Sequence, residues 1–111
     1  MNAEDAAQVF LTAIEDNVRL YGNMFDQTPA DGVLDPGIRA VVELWQRVSD
    51  TDRDTLRTML RQTSIDATST VLGLFDGVAL EGFDEEVSVQ IGQDDLSGEL
   101  QNAFLSLTEE D

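Results

Sequence analysis

The last side-chain cation in this chain is Arg61, and the fifty residues after it carry twelve carboxylates with no Lys, Arg or His. Burying any one of those carboxylates alone is costly, so each must stay solvated or find partners within the fold. Across the 111 residues, 23 acidic side chains face six basic ones, all Arg, for a net charge of −17. A small domain so charged repels phosphate backbones and anionic lipid, so direct contact with nucleic acid or a membrane is not expected.

Three accounts of the acidity compete. It can confer solubility in a salty or high-GC host. It can meet a basic protein partner. It can imitate nucleic acid and occupy a DNA-binding protein. Charge by itself speaks to solubility and association, not to fold.

The length is that of one domain, so the expectation is a single acidic globular domain over residues 1–111. At 41% apolar residues the chain is no disordered acidic tail. No apolar run approaches the roughly 18 residues of a membrane span. The acidic start, Met1-Asn2-Ala3-Glu4-Asp5, lacks the basic region of a signal peptide. Without Cys there is no disulfide and no thiolate chemistry. A cytoplasmic location is the default expectation.

Periodicity predicts the elements. Phe10, Ile14, Val18 and Tyr21 share one face of a helix from about Glu4 to Tyr21, with Glu15 four residues before Arg19. Glycines, prolines and turn-formers between Gly22 and Gly37 read as a loop. Asp35-Pro36 reads as an N-cap and first helical proline, opening a second helix to about Val48. Its apolar stripe is Ile38, Val41, Val42, Trp45 and Val48. Ser49 to Asp52 begin a third and longest helix, which Asp76-Gly77 ends. Leu56, Met59, Leu60, Thr63, Ala67, Val71, Leu74 and Phe75 form its apolar face; Ile65 and Leu72 lie off that stripe, so burial on more than one side is expected in its second half.

From Phe83 to Ile91 the period becomes two, which predicts a half-exposed strand. A turn at Gly92–Asp95 and a return strand near Leu96 would close a hairpin. A last helix starting at Ser97 or Gly98 carries Leu100, Ala103, Phe104 and Leu107 on its core face. The fold class expected is mostly helical α+β: three N-terminal helices, a short β-hairpin and a C-terminal helix.

The segment from Gln62 to Gly77 pairs Ile65-Asp66 with a Ser/Thr-rich, then apolar helix ending in Asp76-Gly77. Together with the Leu96–Leu105 segment, it resembles small uncharacterised bacterial proteins over residues 56–108. That resemblance implies a bacterial cytoplasmic origin and no particular activity. The acidity and the lack of Lys depart from it.

Catalytic chemistry has few tools. Without His, Cys or Lys, acid–base work falls to carboxylates or Tyr21, and no Ser-His-Asp constellation can form. No P-loop or dinucleotide fingerprint is present. Asp50-Thr51-Asp52-Arg53-Asp54 imitates the start of a calcium loop. However, Thr55, Arg57 and Arg61 stand where glycine, an apolar residue and glutamate belong, so a helix start is the better reading. No enzyme, no catalytic or metal-ligating residue and no cofactor are therefore expected.

Arg53, Arg57 and Arg61 line one helix face as internal counterions. Asp50 and Asp54 are local partners for the first two, and Arg61 is expected to reach the acidic second half. Asp66 sits in the stretch expected to be best buried, and Trp45 reads as a core anchor.

The function expected is a non-enzymatic interaction domain of accessory or immunity type, docking a basic protein partner. Its candidate partner-binding residues are Glu81, Asp84, Glu85, Glu86, Asp94, Asp95 and Glu99. The alternatives are a DNA mimic and a divalent-metal-binding module, in which the 84–86 and 94–95 clusters hold one ion together. A homodimer through the long third helix stays open.

Overall fold

The computed structural model describes residues 1–77 and 82–109. The fold is mostly helical α+β. Helix α1 spans Ala3–Gln27, α2 Pro36–Arg47, α3 Asp50–Asp76 and α4 Leu100–Thr108. A single 3-10 turn, Ala30–Gly32, follows α1, and a two-stranded antiparallel hairpin pairs β1 (Gln90–Ile91) with β2 (Asp94–Asp95). Among the described residues, no helix is long and apolar enough to cross a membrane. The chain divides into two compact units: residues 15–62, and residues 1–14 with 63–111.

The unit of residues 15–62 is built around Trp45. Its indole lies 2% exposed among Phe25, Val42, Leu56 and Leu60, with Ala30 and Val33 closing the cluster. The Phe25 ring meets it edge-on at 5.5 Å, a geometry that adds about 0.5–1.5 kcal/mol beyond area burial. Burying an indole N–H requires an acceptor, and Trp45 Nε1 donates to Asp26 at 2.6 Å.

Asp35 caps α2 as expected, accepting from Ile38 N at 2.9 Å, with Pro36 at the first helical position. α1 runs six residues beyond Tyr21, through Gly22, to Gln27. There the amide of Gln46 donates to the carbonyls of Phe25 and Thr28, taking up acceptors that a helix end leaves free. The arginine stripe of α3 is internal. Arg53 holds Asp50 and the Trp45 carbonyl, and Arg57 holds Asp54 and stacks over the Trp45 ring at 4.8 Å. Arg61 reaches Glu15 at 3.3 Å on α1, not the acidic second half of the chain. With Glu15 so engaged, Arg19 turns to Asp16.

The other unit buries Ala3, Ala6, Ala7, Leu11 and Ile14 from α1, Ile65, Ser69 and Leu72 from α3, and Leu96, Leu100 and Phe104. Asn2 and Asp5 cap α1 reciprocally. In α3 the buried residues are Ile65, Ser69, Leu72 and Gly73, whereas Met59, Val71 and Phe75 are exposed and so are Thr63 and Ala67. Of the expected apolar face only Leu56, Leu60 and Leu74 are partly buried; Ile65 and Leu72 are buried as expected, and theirs is the side that packs inward beyond Leu60. The reason is the neighbour: the carboxamide of Gln101 on α4 donates to the Ser69 carbonyl at 2.9 Å. A Cβ on Gly73 would sit 2.7 Å from that same amide nitrogen. A polar lock between small residues sets which side faces inward. Asp66 is exposed.

The strand expected over 83–91 is confined to Gln90–Ile91. The ladder continues for one further bond, Leu96 N to Val89 O at 2.8 Å. Then the Ser97 hydroxyl accepts the Val89 N–H, and Gly98, at φ +80°, turns the chain toward α4. With the return arm spent, residues 83–88 have no partner strand among the described residues.

α4 lacks a cap of its own, since Glu99 makes no side-chain bond at its start. Asp76, the last residue of α3, supplies one. Its carboxylate accepts from Gln101 N at 2.7 Å and Leu100 N at 3.4 Å. Gly77, at φ +76°, then takes the left-handed conformation expected at the end of α3. Asp76→Ala should cost about 1 kcal/mol in urea unfolding, the usual worth of an N-cap, and Glu99→Ala close to nothing. Equal losses for the two variants would show that Asp76 does not act as the cap.

Candidate functional site

Acid is partitioned between the two units. Residues 15–62 hold nine carboxylates and all six arginines, a net charge of −3; the other unit holds fourteen carboxylates and no Lys, Arg or His, a net charge of −14. Among the described residues, its one cation is the Met1 ammonium, which bonds Asp94 at 2.5 Å and whose pKa that bond raises.

Six of the seven candidate residues are described, and Glu81 lies outside the described residues. Asp84, Glu85, Glu86, Asp94, Asp95 and Glu99 are all exposed. They do not converge. Asp84, Glu85 and Glu86 line an open concavity of about 710 Å³ with Leu74, Phe75 and Phe83. Asp94, Asp95 and Glu99 line a second, of about 580 Å³, with Glu4. The hairpin therefore does not bring the two clusters around one ion. Among the described residues no group of three or more carboxylates is placed to hold a metal.

What the sequence reading missed is the apolar floor of the first concavity. Phe75 and Phe83 are 37% and 57% exposed, and their rings stand 5.6 Å apart at 31° to one another. The periodicity puts Phe75 on the apolar face of α3 and Phe83 at the start of a half-exposed strand. The signal available was their position: each stands one residue before an Asp, at either side of the Gly77–Gly82 segment.

Asp95 is held without a cation. Ser97 donates to it from its hydroxyl and from its backbone N–H, the latter at 2.9 Å, and these bonds lower its pKa. The same hydroxyl oxygen accepts from Val89, so one serine joins the hairpin to the acid.

No protein-family model, curated protein or solved structure matches this chain.

Because the folded Asp95 titrates below the ordinary Asp value of 3.8, its contribution to stability is present above that value and is lost as pH falls through the folded midpoint. NMR titration should place Asp95 below that value, and Ser97→Ala should return it toward the ordinary one. An Asp95 midpoint unmoved by the substitution would rule out the Ser97 hydroxyl as a cause, since alanine keeps the backbone N–H.

Proposed function

We propose that this chain is a non-enzymatic interaction module whose anionic unit docks a cationic segment of another protein. The observation that carries the reading is the partition of charge. An acid coat serving only solubility would be spread over the whole surface. Here the arginines gather in one unit, where five of the six are engaged by carboxylates or carbonyls of that unit, and the other unit is left uncompensated. Uncompensated carboxylates repel one another and lower stability, a cost that a cationic partner relieves on binding. The exposed acids lie around two open concavities, each larger than a single side chain needs, which suits a peptide-like partner. The chain's lack of Cys, His and Lys is in keeping with binding in place of catalysis. A bacterial cytoplasm is the setting that goes with this reading.

The test compares two neutralised variants of equal charge against a short oligo-arginine peptide. Asp84→Asn, Glu85→Gln and Glu86→Gln together should weaken binding roughly tenfold, on the order of 0.5 kcal/mol for each exposed charge. Asp31→Asn, Glu43→Gln and Asp52→Asn, in the other unit, should change it less than twofold. Affinity of the unaltered chain should fall steeply with salt. Equal weakening by both triple variants would reduce the acidity to a general coat.

A further inference from the structure

We propose that the concavity floored by Phe75 and Phe83 selects arginine: a guanidinium of the partner segment stacks on the ring pair while its neighbours meet Asp84, Glu85 and Glu86. This rests on the docking reading above and adds which cation is taken and where.

Two exposed phenyl rings 5.6 Å apart offer a π face that water does not hydrate well. Aromatic side chains are enriched where proteins meet, and such rings at a surface mark anchor points. Around these rings the charge is of one sign, with Asp84, Glu85 and Glu86 lining the same concavity. A neutral apolar partner would use the rings and leave the carboxylates desolvated. A lysine would use the carboxylates as a point charge, and its ammonium holds its water tightly. Arginine satisfies both: its plane is weakly hydrated, stacks on aromatic faces and forks onto carboxylates. The chain already makes this contact within its other unit, where Arg57 lies 4.8 Å over the Trp45 ring beside Asp26 and Asp54. Its own arginines are largely committed, Arg47 alone having no partner among the described residues, so the cation must come chiefly from another molecule.

The experiment uses the full chain and two peptides of equal length and charge, one bearing Arg and the other Lys at every cationic position. Arg should bind about two- to fivefold more tightly at one salt concentration. Phe83→Leu keeps an apolar side chain but removes one of the two rings; it should at least halve that preference, the part due to stacking, while leaving the salt dependence intact. Equal affinity for the two peptides would overturn the inference and leave the docking reading standing, and so would an Arg preference left undiminished by Phe83→Leu. Failure of both peptides to bind would remove the docking reading and the inference together. Self-association of the chain that competes with the Arg peptide would replace the outside partner with a second copy and overturn the proposal as stated.

Discussion

Six guanidinium groups must serve 23 carboxylates, and where they go decides how the rest of the chain is held. They gather in residues 15–62, where the geometry leaves little choice. Trp45 needs an acceptor for its indole N–H and finds Asp26, and Arg57 lies over the ring within 3.9 Å of that same carboxylate. Arg53 and Arg39 spend their N–H groups on backbone carbonyls at turns. These contacts are partly buried and local, so they hold their geometry better than exposed pairs of long side chains would.

The unit of residues 1–14 and 63–111 solves the same problem with almost no cations. Its carboxylates accept from backbone and hydroxyl donors: Asp76 from the first N–H groups of α4, Asp95 from Ser97, Asp5 from Asn2. Neutral donors satisfy a carboxylate without cancelling its charge. Each acid so used keeps its charge uncancelled, in a unit whose sequence carries fourteen acidic residues. Self-repulsion there is a standing cost to stability, of the kind proteins carry where a surface is kept for binding.

Much of the fold is legible in the sequence because caps and turns are written in single residues. Asp35-Pro36, Ser49 and Gly77 act where their chemistry places them, and the Asp50–Arg53 and Asp54–Arg57 pairs follow from spacing alone. What fails is the choice of face. In α1 the expected stripe is buried at Ile14 and half-buried at Phe10 and Val18 but exposed at Tyr21, and the pattern misses the buried Ala3, Ala6, Ala7 and Leu11. Alanine leaves a faint mark in a hydrophobic pattern, yet it lets backbones come close at no side-chain entropy cost. In α3 the inward side is set by Ser69 and Gly73 against Gln101, a polar contact 32 residues away in the chain that no periodicity encodes. The candidate carboxylates were legible as exposed acid. Their separation into two concavities, and the aromatic pair beside one of them, depend on where the hairpin ends and were not.

Residue-resolved hydrogen exchange at low and high salt tests the central claim that the unbalanced charge strains one unit and spares the other. Raising NaCl from about 0.01 M to about 1 M shortens the Debye length from roughly 30 Å to 3 Å. Protection should rise markedly across Ile65–Gly73 and Leu100–Thr108 and little across Val42–Gln46. Equal gains in the two units, or a larger gain in α2, would contradict the account.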